Sequence, residues 1–453
     1  MRGRTNITPR TSPAVIGTDV TNKQVTGSAI TVGDFVEFTG NTTVWEKLVG
    51  PINYQGEHFF NISDTIKGCI FINTTSSQCK FVIFNDIGIL KETTLNSVAF
   101  ANTNVDNIDY DSVNNKIYVL QYLGSAAWYT YNIYVFDISQ NYTVTYNRTI
   151  TLFIPDTYGG ARKAVCVRNS YIYCICYPSS SGTSVSVVKY NLDGSTVEDV
   201  ITLTLGSSAS FSNTTWYSLV TEDKFILLSS GDAYKFTFVF SSDNLYATKA
   251  TSDNNYLRLL NKCANGKLVS VNGYNFLVGM QATSPFSGGL TVFYYDNNND
   301  INVIQKIEIS FSDFVNLIDM IVERNENDYR ILCAVCGSEY ASNDDIYVRL
   351  YNFNSISGKI TFLSKMTMSA GFGNYYWYKD CKLVDYSGVY NLFFAGCGNL
   401  ETNNHLAKTK FIVSNDTIIQ SEALDLVKKY QNRIDGVAKT SGNVGQTITV
   451  CIP

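Results

Sequence analysis

The stretch from residue 107 to residue 146 decides the fold, because it contains four strand-like segments separated by polar turns: Asn107-Ile-Asp-Tyr-Asp, Lys116-Ile-Tyr-Val-Leu, Tyr131-Asn-Ile-Tyr-Val-Phe and Tyr142-Thr-Val-Thr-Tyr. Short runs rich in β-branched and aromatic residues, bounded by Asn, Asp, Gly and Ser, predict β-strands joined by turns. Four such strands in close succession would form one small antiparallel sheet.

The same four-strand unit recurs along the chain. We place seven units at about residues 54–95, 97–152, 161–205, 214–251, 256–309, 316–367 and 376–424. Their third strands are predicted to end at nearly regular intervals, near Phe84, Phe136, Tyr190, Phe240, Tyr295, Tyr351 and Val413. Four strands per unit and a period near 50 predict a β-propeller, in which each small sheet completes its core by stacking on its neighbours. A β-sandwich array and a β-solenoid are the alternatives, since neither the WD40 nor the kelch signature is present.

The composition supports an all-β protein and argues against several functions. Of the 453 residues, 13% are aromatic and only 16% are charged, and the net charge is −5. An acidic chain has no general attraction for nucleic acid. No apolar run is long enough to predict a transmembrane helix, and the polar segment 1–15 lacks the apolar stretch of a secretory signal. We therefore expect neither nucleic-acid binding nor membrane insertion.

Eleven cysteines, an odd number, are scattered through the apolar segments, as in Tyr171-Ile-Tyr-Cys-Ile-Cys-Tyr. Free cysteine behaves as a small buried hydrophobe, so we expect most of them to pack in the core. Cys333 and Cys336 have CxxC spacing, which also occurs in metal and redox sites. In a strand, residues three apart point to opposite faces, so core packing is favoured.

Four dipeptides predict tight turns between strands: Asp193-Gly, Asn265-Gly, Asn272-Gly and Ser357-Gly. Between the last unit and the C-terminal segment, the residues from Ser421 to Tyr430 favour a single short helix.

The two chain ends do not fit the repeat. Residues 25–40, which include Val32-Gly-Asp-Phe-Val-Glu-Phe, predict a hairpin, and Ile434-Asp-Gly-Val-Ala-Lys-Thr-Ser-Gly-Asn-Val-Gly-Gln-Thr-Ile-Thr-Val-Cys-Ile-Pro predicts a strand, a Gly-rich turn and a second strand. Together these two patterns resemble the small β-barrel domains of tailed-bacteriophage virion proteins, which occur in capsid decoration proteins and at the attachment ends of fibres. The resemblance covers only these two end segments. It departs from a compact barrel because the whole run of repeated units separates its halves.

The resemblance implies a particle-attachment barrel made from residues 16–45 and 425–453. The repeat places the inserted propeller at residues 46–424, and the polar composition of residues 1–15 predicts a flexible arm. Insertion is physically reasonable because the ends of a closed ring lie close together. By the resemblance, the attachment residues are Gly33, Asp34, Phe35, Gly436, Gly442, Gly445 and Gln446.

The candidate catalytic and metal-binding residues also have simpler structural explanations. Asp109 with Asp111, Glu323 with Glu326, and Asp344 with Asp345 are paired acids of the kind a glycosidase uses, but they also suit solvated turns. Asp296, Asn298 and Asp300 alternate oxygen donors and could begin a calcium loop, although the glycine and the bidentate glutamate of an EF-hand are missing. A polar hairpin turn is the alternative. We predict no other cofactor and no catalytic residue.

Aromatic residues near Gly/Ser-rich turns are the candidate ligand-binding residues: Trp128, Tyr129, Trp216, Phe372, Tyr375, Tyr376 and Trp377. Aromatic rings bind the apolar faces of sugars, but large aromatics also pack blade against blade.

The expectation from the sequence is a bacteriophage or phage-derived surface protein of the tail or fibre that binds a host cell-surface receptor, a glycan or a protein, through its propeller. It would assemble in the bacterial host cytoplasm and contact other virion proteins through the terminal barrel. The alternatives are a decoration protein without a receptor and a propeller enzyme that degrades glycans. Copy number and any homo-oligomer stay open.

Overall fold

The computed structural model describes residues 20–24, 35–41, 46–52, 56–102, 105, 107–123, 129–154, 162–177, 184–204, 216–220, 223–229, 234–249, 263–281, 287–295, 301–310, 315–337, 345–369, 376–398, 404–414, 416–420, 424–428, 436–438 and 447–451. Every regular element in these ranges is a β-strand, which confirms the predicted all-β class. The same ranges hold no helix long and apolar enough to cross a bilayer.

Seven antiparallel sheets form a seven-bladed β-propeller, as the repeat predicts. Blade one consists of β4 (Gly56–Asn61), β5 (Lys67–Asn73), β6 (Gln78–Phe84) and β7 (Ile89–Asn96). Blade two consists of β8 (Asn107–Asp111), β9 (Lys116–Tyr122), β10 (Tyr129–Ile138) and β11 (Val144–Ile154). Blade three consists of β12 (Arg162–Arg168), β13 (Tyr171–Tyr177), β14 (Ser184–Asn191) and β15 (Val197–Thr204). Blades four and five consist of β16 (Trp216–Val220), β17 (Lys224–Ser229), β18 (Tyr234–Val239) and β19 (Asn244–Lys249); and β20 (Cys263–Val271), β21 (Tyr274–Gln281), β22 (Ser287–Tyr295) and β23 (Ile301–Ser310).

Blade six consists of β24 (Val315–Asn325), β25 (Asp328–Gly337), β26 (Asp345–Asn354) and β27 (Lys359–Ser369). Blade seven joins the two halves of the chain: β28 (Tyr376–Tyr386), β29 (Val389–Gly398) and β30 (Asn404–Ser414) are followed in the sheet by β3 (Glu46–Ile52). The last predicted unit also contains β31 (Thr417–Gln420), which pairs with β30, but β3 occupies the fourth place in the sheet. A strand from before blade one therefore completes the last blade and closes the ring.

The first strand of each blade is the innermost. Contacts between innermost strands run from β16 through β20, β24, β28 and β4 to β8, and from β8 to β12. The fourth strands lie outermost, and their exposure alternates, as in β7, whereas every residue of β5 is buried. This gradient is what a ring of sheets requires, since only the inner strands have blades on both faces.

The core lies between blades rather than within one sheet. Between blades one and two, for example, Phe81 of β6 packs against Phe136 of β10 with ring centroids 4.8 Å apart. Similar clusters of aliphatic and aromatic side chains fill the spaces between blades two and three, three and four, five and six, and seven and one. The apolar face of each of these sheets is thus buried on its neighbour.

Four of the aromatic residues predicted to end third strands coincide with a repeated irregularity, and in blade five the irregularity lies at Phe293 rather than at the predicted Tyr295. The register between the third and fourth strands shifts by one residue at Phe84, Phe136, Tyr190, Phe293 and Tyr351. All five side chains are buried. A bulge bends and twists a strand, so the same outer-strand curvature is built in five of the seven blades.

Three of the four predicted turns are confirmed. Gly194, Gly273 and Gly358 have positive φ angles of 72°, 82° and 65° between consecutive strands. The prediction for Asn265-Gly was wrong: both residues lie inside β20, where the register shifts beside Cys263. Glycine in a strand commonly marks such a bulge. The start of the fifth predicted unit, residues 256–262, lies outside the described residues, and the first described strand of blade five is β20.

Both chain ends contribute to a separate five-stranded sheet. Its order is β1 (Val20–Gln24), β34 (Thr447–Cys451), β33 (Gly436–Ala438), β2 (Phe35–Asn41) and β32 (Leu424–Lys428). The predicted hairpin of β33 and β34 is confirmed. The described pairings form an open path and do not establish a closed barrel.

One expectation for the ends was wrong and another is untested. The predicted hairpin of residues 25–40 is untested because residues 25–34 lie outside the described residues, and the described partners of β2 are β33 and β32. The segment expected to be helical forms β32, because its backbone groups bond to β2 and sheet pairing overrides helix propensity. The chain divides into two compact units, one of Met1–Glu46, Thr409–Ile412 and Ile419–Pro453 and one of Lys47–Lys408 and Val413–Ile418.

The cysteine side chains that the structure describes are buried, as expected: Cys69, Cys79, Cys166, Cys174, Cys176, Cys333 and Cys381. Burial raises the pKa of Cys79 and Cys333 to about 12, so these thiols stay protonated and unreactive at neutral pH. Cys333 lies in the core between blades five and six, and the side chain of its CxxC partner, Cys336, is outside the described part.

Candidate ligand-binding site

The two ends of the propeller differ in the length of their connections. Because the strands alternate in direction, the turns from first to second and from third to fourth strands all lie at one end, which we call the short-turn end. Several of them contain two residues, such as Asn272-Gly273 and Ser387-Gly388. The connections from each blade to the next lie at the opposite, long-connection end, and three of them span residues 155–161, 205–215 and 250–262. Long connections on a rigid scaffold are where binding residues concentrate.

The aromatic residues suggested by the sequence all belong to strand starts or connections of the long-connection end. Tyr129 begins β10, Trp216 begins β16, and Tyr376 and Trp377 begin β28. The side chains of these four residues are outside the described part. Trp128, Phe372 and Tyr375 lie wholly outside the described residues, in the connections before β10 and β28.

The other sequence candidates are dispersed. Asp296, Asn298 and Asp300 belong to the connection between β22 and β23, which joins third and fourth strands, and they lie outside the described residues. Among the residues that are described, no group of three or more His, Cys, Asp or Glu side chains could hold a metal ion.

Two of the predicted attachment residues come together in the terminal sheet. Phe35 of β2 pairs with Val437, and the neighbouring Val36 pairs with Gly436 of β33. Gly33, Asp34, Gly442, Gly445 and Gln446 lie outside the described residues.

Asp111 and Glu323, two of the paired acids, make hydrogen bonds within the fold, whereas Glu326 is exposed in the turn after β24. Asp111 accepts backbone N–H groups from Val113 and Asn114 in a turn. Glu323 accepts a hydrogen bond from the Tyr390 hydroxyl at 2.6 Å. Asp344 and the side chain of Asp345 are outside the described part.

Asp109 belongs to a set that sequence reasoning missed. It is buried on β8 and accepts the Val167 N–H of the next blade at 2.8 Å. Asp319 on β24 accepts the Leu383 N–H of blade seven at 2.8 Å. The innermost strand is an edge of its sheet, so the N–H groups on its unpaired side have no neighbouring strand to bond. A carboxylate from the preceding blade accepts a hydrogen bond from one of these N–H groups.

Asp380 on β28 is the third member. Its Oδ2 accepts the Phe59 N–H of blade one at 2.7 Å, and its Oδ1 accepts the N–H of Cys381. The three carboxylates therefore link blades two to three, six to seven and seven to one. A sequence signal was present: each acid lies within a first strand, and two of them interrupt apolar runs, in Ile108-Asp-Tyr and Ile318-Asp-Met.

Around Asp319 and Asp380 lies a group of charges that we call the axial cluster: Lys67, Lys267, Asp319, Asp380 and Lys382. Lys267 of blade five bonds Asp319 with Nζ and Oδ1 3.1 Å apart, and Lys382 of blade seven lies 3.4 Å from the other oxygen. Lys67 of blade one is buried and donates to the Ser63 carbonyl at 2.7 Å. It lies within electrostatic range of Lys382, Asp319 and Lys267. The cluster thus joins the four consecutive blades five, six, seven and one.

The charges in the axial cluster have shifted pKa values. Burial opposes ionisation of Asp319, but Lys267, Lys382 and the Leu383 N–H together lower its pKa to about 2. Burial raises the pKa of Asp380 to about 6, against the opposing effects of the Phe59 and Cys381 N–H groups and Lys382. Burial, with the nearby Lys382, lowers the pKa of Lys67 to about 8. Shifted titratable groups gathered at the centre of a ring mark a candidate functional site.

Comparison with known proteins identifies no family for this chain. No protein-family model and no curated protein matches the sequence. Among solved structures, the chain is similar to the Saccharomyces cerevisiae core factor, with a TM-score of 0.47 and 9% identity over 86% of this chain and 63% of that one. It is similar to prolyl oligopeptidase B from Galerina marginata, with a TM-score of 0.41 and 8% identity over 84% of this chain and 52% of that one. It is also similar to an ulvan lyase of polysaccharide lyase family 25, with a TM-score of 0.42 and 9% identity over 86% of this chain and 97% of that one. The chain thus spans less than two thirds of the first two, and the three likenesses are too weak to carry a functional argument.

Proposed function

We propose that this chain is a non-enzymatic surface protein of a bacteriophage or phage-derived particle, associated with the tail or fibre. Its propeller binds a glycan or protein on the host cell surface, and its terminal segments attach it to other virion proteins. The observation that carries the proposal is a difference between the two ends of the propeller. The long connections and the candidate aromatic residues belong to one end, and the chain enters and leaves at the other.

The entry and exit follow from strand direction. β3 leads into β4 through residues 53–55, a link that spans at most about 11 Å. β3 therefore finishes where innermost strands start, at the long-connection end, and begins at the short-turn end. β30, a third strand, also finishes at the short-turn end. The start of β3 and the finish of β30 thus lie at the end of the propeller opposite the long connections.

The resemblance of the chain ends to virion barrel domains supports the attachment role, and their pairing in one sheet is compatible with it. Residues from both ends, such as Phe35 and Val437, are neighbours across β2 and β33 although they lie far apart in the sequence. A sheet that needs both termini also fits an inserted propeller, because the inserted domain returns the chain near its starting point.

Immunogold labelling of intact particles tests the proposal. Antibody against the propeller is expected to label the tail end in low copy number, and tail-labelled particles that carry Trp216→Ala should adsorb to host cells at least tenfold more slowly. The control is Ile356→Ala, which removes an apolar side chain that is 78% exposed in a turn of the short-turn end, and adsorption should be unchanged.

Other labelling patterns decide between the alternatives. Even label over the head would favour a decoration protein without a receptor. Absence of label from all particles would reject the phage proposal. A propeller enzyme is favoured only by the axial cluster, and release of reducing or unsaturated sugar ends from host envelope, lost in Asp380→Asn, would establish it.

A further inference from the structure

The lysines of the axial cluster have more N–H donors than the carboxylates of the cluster accept. Lys267 and Lys382 share the single carboxylate of Asp319, whose two oxygens they approach from opposite blades. An ammonium group has three donors. Among the described contacts, the hydrogen-bonding partner of Lys267 is Asp319, so two of its N–H groups remain for another acceptor.

Asp380 does not supply that acceptor. Both of its oxygens receive backbone N–H groups, from Phe59 and Cys381, at 2.7 and 2.8 Å. Its carboxylate is therefore directed at the backbone of blades seven and one rather than at the ammonium groups. The oxygens of Asp319 and Asp380 are thus already engaged, and Lys67, on the second strand of blade one, has Asp64 within electrostatic range as well.

Solvent reaches one of these lysines. The Lys267 side chain keeps 37% of its surface exposed, whereas Lys382 and Asp319 keep 15% and 5%. Lys267 is the fifth residue of β20, an innermost strand, so its position is near the centre of the ring, about 13 Å along the strand from the long-connection end. Of these three side chains, Lys267 is therefore the most accessible to a ligand.

We propose that the axial cluster binds the carboxylate of a terminal acidic sugar, with Lys267 as the primary donor and Lys382 behind it. A carboxylate supplies acceptor oxygens for the unused N–H donors of Lys267, and charge-assisted N–H···O bonds are stronger in a partly desolvated site. A terminal sugar is required because the cluster lies inside the ring, where a chain cannot pass along the blade surface. This inference rests on the proposed glycan-binding function and names the substrate class.

The test is calorimetric titration of the full chain with sodium glucuronate, glucose and inorganic phosphate. Glucuronate should bind saturably, glucose should not, and phosphate should bind more weakly than glucuronate. Lys267→Met should weaken glucuronate binding at least tenfold, while Lys267→Arg, which keeps the charge, should retain it. The matched control is Lys116→Met, which removes a partly exposed lysine paired with Asp137 on a second strand, and its affinity should equal that of the wild type.

Three results would overturn the inference: absence of glucuronate binding, equal binding by Lys267→Met, or tighter binding of inorganic phosphate than of glucuronate. If Lys267→Met does not fold, loss of binding in the folded Lys267→Gln supports the inference and retained binding rejects it. Its failure is separable from failure of the proposed function. If the protein labels the tail but does not bind glucuronate, only this inference is rejected. If it binds glucuronate but is absent from particles, only the particle assignment is rejected.

Discussion

Single aspartates join neighbouring blades in this propeller. Asp109, Asp319 and Asp380 each accept a backbone N–H from the innermost strand of the following blade. A buried N–H without a partner costs about 1–3 kcal/mol, so each carboxylate stabilises the junction it spans. The surroundings of the acids differ, because Asp319 has two lysines and Asp380 has none within salt-bridge distance among the described residues. That difference gives Asp319 and Asp380 opposite pKa shifts.

The raised pKa of Asp380 makes part of the stability depend on pH. Its pKa is about 6 in the folded chain and about 4 in the unfolded chain. Between these values the folded protein holds a proton that the unfolded protein has lost, so this group lowers the free energy of unfolding as pH rises from 4 to 6. The stability of the wild type relative to Asp380→Asn should therefore fall by about 2 kcal/mol over that range, measured by urea unfolding.

Asp319→Asn is the control for this experiment. The pKa of Asp319 is lowered to about 2, so its linkage contribution changes only below about pH 4 and is constant above. Its difference from wild type should be flat between pH 4.5 and 7. A flat difference for Asp380→Asn as well would show that the Asp380 carboxyl is not desolvated in the folded state.

At the scale of strands, the blades repeat a geometry rather than a motif. Five of the seven place a buried aromatic at the bulge between third and fourth strands, and the residue type varies between Phe and Tyr. A bulge needs one extra residue and a side chain to fill the space beneath it, and several aromatics satisfy that need.

Gly68 of β5 offers a test of packing inside blade one. A Cβ atom at Gly68 would overlap the ring of Phe60, which is buried on β4. Gly68→Ala should cost about 1–3 kcal/mol in chemical unfolding, and adding Phe60→Leu should recover part of that loss, because the smaller side chain leaves room. Strict additivity of the two substitutions would contradict the contact.

Gly273→Ala is the comparison. No atom lies within 4 Å of a Cβ at that position, so its cost comes only from the positive φ of 82° in the β20–β21 turn. We expect about 1 kcal/mol there. Unlike Gly68→Ala, the loss should not change when Phe60 is also replaced.

Strand number and blade count were predictable from the sequence because apolar alternation and turn residues are local signals. Partners distant in sequence were not. The segment Glu422-Ala-Leu-Asp-Leu-Val-Lys-Lys favours a helix locally, and only pairing with β2 makes part of it a strand. Likewise Lys267, Asp319 and Lys382 lie in three different blades, so no local pattern places them together.

At the scale of the whole molecule, β3 holds the ring closed. Leu48 of β3 packs against the core between blades seven and one, which includes Phe84 and Phe393. Leu48→Asp would bring a charge to that core and should weaken the pairing of β3 with β30. Hydrogen exchange should then speed up in β29 and β30 by at least tenfold, with little change in β13 and β14.

Leu90→Asp on β7 is the matched control, since Leu90 is 38% exposed on an outermost strand. Its exchange pattern should resemble that of the wild type. Uniform acceleration across all blades in Leu48→Asp would mean that the ring opens as one cooperative unit rather than at blade seven.

The closing strand also imposes an order on biosynthesis. β3 ends at Ile52, whereas its partner β30 begins only at Asn404. At about 5–20 residues per second, the ribosome adds the roughly 350 intervening residues in roughly 20 to 70 seconds. Throughout that interval the nascent chain carries a strand whose intended neighbour does not yet exist, and an unpaired strand is a template for pairing with other chains. Ring closure therefore waits until blade seven has been made, and yield in a foreign host should depend on elongation speed and on chaperones that cover the segment up to Ile52.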